Sequence, residues 1–286
     1  MKKISLLLLY LSYLSLYAQS DHLKLSFGYG FGVSGEFANI QSYYYYETPD
    51  TSYTNYGFEA ISFSCSKGIT FGLGYEKKFG KNIAIELGAH YSKGKSPEIE
   101  YYENYSFDYY LDGAAKFTHT YYWTSKSLQF TPEVIIRSSN PKISPYIKLG
   151  CIIGFNWLYE EYKGTLVNTI PGYYPFENWT HNLKYTMAPS VGGIAAIGSE
   201  YLLTKGLWAF MEARYNLLKC IPKKGELTEY KYRGEDQLET LPYNERFFEY
   251  EAAFNESENN NPNAASKREQ QRFSLSNISL VFGFKF

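Results

Sequence analysis

The chain has 286 residues, a net charge of −1, a mean hydropathy of −0.37 and 31 tyrosines. The near-neutral charge leaves no electrostatic footprint for nucleic acid. Cys65, Cys151 and Cys220 are odd in number and widely spaced, which excludes a disulfide scaffold and a sequence-legible metal site; a Cys65–Cys220 pair across two loops stays open.

Lys2 and Lys3, the mostly apolar stretch Ile4 to Leu16, and Ala18-Gln19-Ser20 have the three-part form of a cleavable export signal. Residues 1–20 are expected to be removed and 21–286 to form one exported domain. No later stretch is long and apolar enough for a membrane helix, so any membrane span must be a closed barrel.

Period-two alternation, the signature of a two-faced strand, then recurs along the chain. From about Leu23 to Glu36, Leu23, Leu25, Phe27, Tyr29, Phe31 and Val33 share one parity and Lys24 shares the other with serines and glycines. The second strand, about Gly68 to Phe79, sets Ile69, Phe71, Leu73 and Tyr75 against Gly72, Gly74, Glu76 and Lys78. After the turn Gly80-Lys81-Asn82, the third sets Ile83, Ile85, Leu87 and Tyr91 against Glu86, Gly88, His90 and Ser92. The fourth, about Lys126 to Arg137, sets Leu128, Phe130, Val134 and Ile136 against Gln129, Thr131, Glu133 and Arg137, with a bulge expected at Pro132.

The fifth, about Pro145 to Trp157, sets Ile147, Leu149, Cys151, Ile153, Phe155 and Trp157 against Tyr146, Lys148, Gly154 and Asn156. The sixth, about Thr186 to Leu202, sets Val191, Ala195, Ile197 and Tyr201 against Ser190, Gly192, Gly198 and Glu200. The seventh follows Thr204-Lys205-Gly206 and sets Leu207, Met211 and Tyr215 against Glu212, Arg214 and Asn216. In the eighth, FSLSNISLVFGFKF, Ile278, Leu280, Phe282, Phe284 and Phe286 oppose Asn277, Ser279, Val281, Gly283 and Lys285.

Short connections near 80–82, 138–144 and 203–206 alternate with long ones at 37–67, 93–125, 158–185 and 218–272. That asymmetry, the even strand count and the apolar parity predict an all-β fold: an eight-stranded antiparallel transmembrane barrel with short periplasmic turns and long Tyr-rich extracellular loops. The terminal run resembles the C-terminal assembly signal of bacterial outer-membrane barrels. The mature chain resembles the small eight-stranded OmpA/OmpX-like family in pattern and ends, not in any functional motif. The resemblance implies the outer membrane, its lipid and the barrel-assembly machinery as surroundings.

The opposite parity gathers Lys24, Glu76, Lys78, Glu86, Glu133, Arg137, Lys148, Glu200, Glu212, Arg214 and Lys285. Buried ions need partners, so an internal salt-bridge network is the economical reading, with an ion pathway as the alternative. Gly28-Tyr29-Gly30-Phe31-Gly32 lacks dinucleotide-loop spacing and reads as small inward residues of a narrow barrel. His90 and Ser92 share a strand face and resemble the pair of outer-membrane lipid A deacylases. Their lumenal parity and the following Lys93-Gly94 count against that, and His90 is expected as a polar residue near the upper rim.

Most tyrosines fall in the long connections, as at Tyr43 to Tyr46, Tyr101-Tyr102, Tyr109-Tyr110, Tyr121-Tyr122 and Tyr173-Tyr174. They read as hairpins continuing above the membrane, as a recognition surface, or both. The expectation is a monomeric barrel without catalysis, metal or cofactor, contacting a protein or glycan partner at the cell surface. A narrow channel, an accessory barrel of a secretion or envelope-assembly system, and a lipid A-modifying enzyme are the alternatives.

Overall fold

The computed structural model describes residues 21–33, 64–106, 114–140, 142–168, 174–252, 261–270 and 272–286. Residues 1–20, expected to be a leader, the run Tyr43 to Tyr46, Tyr109-Tyr110, Tyr173 and the tip Asn259–Asn260 lie outside them.

The wall is a closed ring. β1 (Asp21–Gly32), β2 (Lys67–Phe79), β3 (Ile83–Lys95), β5 (Ala114–Arg137), β6 (Ile143–Asn168), β8 (Ser190–Thr204), β9 (Leu207–Leu217) and β16 (Asn277–Lys285) each pair antiparallel with the next, and β16 returns to β1. The seam is the terminal strand, with Phe27 opposite Phe282 and Lys24 opposite Lys285. It ends where Leu23 and Phe286 exchange backbone hydrogen bonds of 3.2 and 2.9 Å. Closure leaves no unpaired edge in the ring.

The two parities segregate as the alternation predicts. Leu73, Leu87, Leu149, Ile197 and Phe282 stand exposed on the outside, while Glu76, Glu86, Lys148, Glu212 and Lys285 are buried inside. Tight turns close one end. Gly80 and Gly206 sit at φ 87, a left-handed conformation that glycine takes without a Cβ penalty.

The other end departs from the predicted loops. β5 runs 24 residues and β6 runs 26, far beyond the ring. The ladder continues through β7 (Phe176–Met187), β11 (Pro222–Tyr232), β13 (Phe247–Glu251) and β14 (Ser266–Glu269) on one side and β4 (Ile99–Ser106) on the other. Residues expected in long loops therefore form an extension sheet in the order β4-β5-β6-β7-β11-β13-β14. The short β12 (Glu235–Asp236) pairs with β11, while β10 (Lys219–Cys220) and β15 (Phe273–Ser274) form a separate two-stranded sheet. At the tip of β11–β12, Arg233 (φ 52) and Gly234 (φ 86) form a two-residue turn with both φ positive.

Three local expectations are corrected. The sixth barrel strand starts at Ser190, and Thr186 belongs to β7, because Ala188-Pro189 interrupts the ladder between them. Pro132 makes no bulge: Phe130 faces Ile153 and Glu133 faces Gly150 in one unbroken register, so the missing N–H costs bridges but inserts no residue. The first strand ends at Gly32, and Val33 lies outside it.

Candidate functional site

The interior is filled in three layers. Nearest the turn end, Lys24, Arg137, Lys148, Arg214 and Lys285 match Glu76, Glu86, Glu133, Glu200 and Glu212 one to one. Lys24 Nζ lies 2.7 Å from Glu76, 2.8 Å from Glu86 and 3.3 Å from Glu200. Arg137 bridges Glu76 at 2.6 Å and Glu200 at 3.0 Å. Lys148 bridges Glu86 at 3.0 Å and Glu212 at 2.9 Å. Arg214 holds Glu212 at 2.5 Å, and Lys285 pairs with Glu200. The Tyr146 hydroxyl donates to Glu212 at 2.8 Å. Glu133 is the loosest member, with Lys148 and Arg214 both at 3.8 Å.

The balance of signs has a physical cause. A buried ion without a counter-charge costs several kcal/mol, of order the stability of a small domain, so a narrow lumen tolerates charges only in matched sets. Lys78 shares the inward parity but lies half-buried at the turn end, outside these ion pairs.

The middle layer is neutral and polar. Arg214 Nη1 donates to His90 Nε2 at 3.0 Å, and Thr131 Oγ1 lies 3.2 Å from the same nitrogen. Ser127 donates to Asn156 at 2.6 Å, Asn156 to Ser190 at 2.8 Å, and Asn216 to Asn277 at 2.9 Å. His90 is therefore buried in the lumen, not at the rim, because glycines make room for it. A Cβ at Gly72 would meet its ring at 2.3 Å, and one at Gly88 would meet it at 2.6 Å. The ring nitrogen serves Arg214 and Thr131 and makes no bond to Ser92.

The third layer is apolar and caps the polar interior. Ile152, Leu158, Ile194, Leu218, Phe273 and Leu275 are buried with Cys65, Cys220, Trp123 and Tyr185 in one cluster at the start of the extension. Its inward residues on β6 and β8 continue the parity of Lys148 and Glu200. Among the described residues no disulfide forms; Cys65 and Cys220 are free thiols. Burial pushes Cys220 up to about 12 and Cys65 well above the ordinary thiol range.

Beyond the cap, the inner face of the extension is aromatic. Tyr162 stacks on His181 at 4.5 Å and approaches Tyr121 at 4.7 Å. Trp179 Nε1 donates to the Tyr162 hydroxyl at 3.0 Å. A Cβ on Gly164 would come within 2.2 Å of the Trp179 ring, so only glycine lets that indole lie against β6. Glu160 accepts from Trp123 Nε1 at 3.0 Å and from the Tyr185 hydroxyl at 2.6 Å. At the edge, Glu177 accepts from Tyr232 and pairs with Arg233 at 2.6 Å, and these partners hold its carboxyl below the usual range.

Ile278, Leu280, Phe282 and Phe284 project outward from β16, and Phe286, just past its end, is exposed with them. The sequence placed the ion set and this apolar row on their faces. It missed Ile152, Ile194, Leu158 and Leu218 as a cap, although their inward parity was readable.

No family model and no curated protein matches the chain. Among solved structures, the outer membrane protein OprG from Pseudomonas aeruginosa aligns at 10% identity, TM-score 0.41, over 93% of this chain and 96% of that one. The toluene transporter TodX of Pseudomonas putida aligns at 7% identity, TM-score 0.19, over 96% and 91%. The assignment rests on the chain's own pairing. A closed ring of eight antiparallel strands, apolar outside and ion-paired within, gives this chain the architecture of a transmembrane β-barrel.

Proposed function

We propose that this chain is a non-conducting, non-catalytic barrel that anchors its extension sheet at the cell surface for recognition of a protein or glycan. The observation that carries it is the division of labour along β5 and β6. Their lower halves enclose a lumen filled by ion pairs and apolar side chains, and their upper halves bear stacked aromatics. Aromatic residues give large contact area at low entropy cost. The same proposal places residues 1–20 as a cleaved signal and the extension outside the cell. Function on such a fold resides in what the scaffold presents.

Capture from intact outer membranes tests it. The wild-type chain should retain a surface protein or polysaccharide that a Trp179→Ala/Tyr162→Ala variant loses, with both chains folded. Equal capture by both, or labelling of the extension only from the periplasmic side, overturns it.

A further inference from the structure

The outer face of the wall carries an unexplained group of like charges. Lys67 on β2 stands directly opposite Lys95 on β3, and Lys93 on β3 directly opposite Lys126 on β5. All four lie on the outward parity, continuing the rows of Ile69, Tyr91 and Leu128. Like charges facing each other across a ladder destabilise it. Among the described residues, none of the four is in an ion pair with a carboxylate. The neighbouring acids on that flank are taken: Glu98 accepts from the Tyr122 hydroxyl at 2.7 Å, and Glu161 pairs with Lys163 at 2.9 Å. The Lys126 Nζ lies 5.1 Å from the centre of the Tyr159 ring.

The position identifies what would relieve the repulsion. From Ile83 to Tyr91 the outward residues of β3 are apolar, about the height of a lipid-facing band for a tilted strand. Lys93 is the next outward residue, at the level where lipid chains end and headgroups begin. Trp157, paired with Lys126, and Tyr91 supply interfacial aromatics beside it. The charge is one-sided, since the corresponding ends of β1 and β16 present Phe31 and Ile278 outward. An ordinary snorkelling belt would not gather opposed pairs on one flank.

We propose that Lys67, Lys93, Lys95 and Lys126 form a binding site for the phosphate groups of a membrane-lipid headgroup, whose acyl chains lie along Ile69, Phe71, Tyr91 and Leu128. A lipid is favoured over free phosphate because the lysines sit directly on that apolar surface. The site is independent of what the extension sheet recognises and of whether the lumen conducts.

The test is native mass spectrometry of the purified full chain in detergent with diphosphoryl lipid A, its dephosphorylated counterpart, or inorganic phosphate. The wild type should retain the phosphorylated lipid roughly tenfold or more over the dephosphorylated one. Millimolar inorganic phosphate should not displace it. The Lys67→Gln/Lys93→Gln/Lys95→Gln/Lys126→Gln variant should lose the preference, and Lys77→Gln, at the opposite end of β2, should keep it. Equal retention of the two lipids by the wild type overturns the site, a comparison that needs no variant to fold. Undiminished preference in the folded quadruple variant does the same, and displacement by inorganic phosphate assigns the lysines to a free anion instead.

Discussion

Glycine at 72 and 88 is what lets a histidine occupy the lumen. With a Cβ at 2.3 or 2.6 Å from the His90 ring, neither site tolerates a larger residue unless the ring leaves Arg214. Gly88→Val should therefore reduce the yield of folded barrel sharply, whereas Gly193→Ala, with open space around it, should not; recovery of heat-modifiable protein measures both. The cysteines give a second test at this scale. Thiolates, not thiols, are alkylated, and burial holds Cys65 and Cys220 protonated at neutral pH. In detergent-folded protein, maleimide should reach Cys65 and Cys220 only after unfolding. Labelling of Cys220 in the folded chain, read by peptide mapping, would show that the apolar cap opens.

At the scale of the element, β16 decides whether the ring closes. Its outward row must lie in lipid while Lys285 and Ser279 turn inward, and a one-residue slip would exchange the two sets. Asp at mid-bilayer costs a barrel a few kcal/mol or less, depending on depth. Two of them, Phe282→Asp with Phe284→Asp, should leave the chain unassembled in the periplasm. Normal heat-modifiable migration of that variant would contradict this role for the strand. The inward row of β9 is tested by ranking. Arg214→Ala removes the 2.5 Å partner of Glu212 and leaves the lumenal carboxylates one cation short, which should cost about 3–5 kcal/mol, as for breaking a buried pair. Glu133→Gln, whose partners stand at 3.8 Å, should cost clearly less in urea unfolding from micelles.

For the whole molecule, the question is passage. Eight strands enclose an interior that side chains can fill, and here they fill it with an ion-paired layer, a polar layer and an apolar cap. A conducting path would have to separate matched charges and open the apolar cluster that holds Leu218, Phe273 and Ile194. The purified protein should give no steady conductance in planar bilayers. Reproducible steps altered by Lys148→Gln or Glu212→Gln would establish a channel through this lumen.

Alternation by itself determined the barrel: which residues face lipid, which face inward, and where the short turns lie. The reason is geometric. A strand's period of two is local, and a lipid exterior rewards one parity at every position, so Phe27 or Leu149 is legible without its neighbours. The balance of lumenal charge was legible as composition, because Glu76 and Lys24 must be compensated somewhere. Only the tertiary structure decided the pairing, since Lys24 meets Glu76, Glu86 and Glu200 from three different strands. It also decided that the long connections carry the wall onward as a sheet. Polar, Tyr-rich stretches such as 114–125 and 176–187 alternate weakly on their own, and they become strands by pairing across distant segments such as Leu158 with Tyr185 and Gly225 with Tyr185. The opposed lysines of β2, β3 and β5 emerged in the same way: each is an ordinary surface residue in sequence, and register alone sets them face to face.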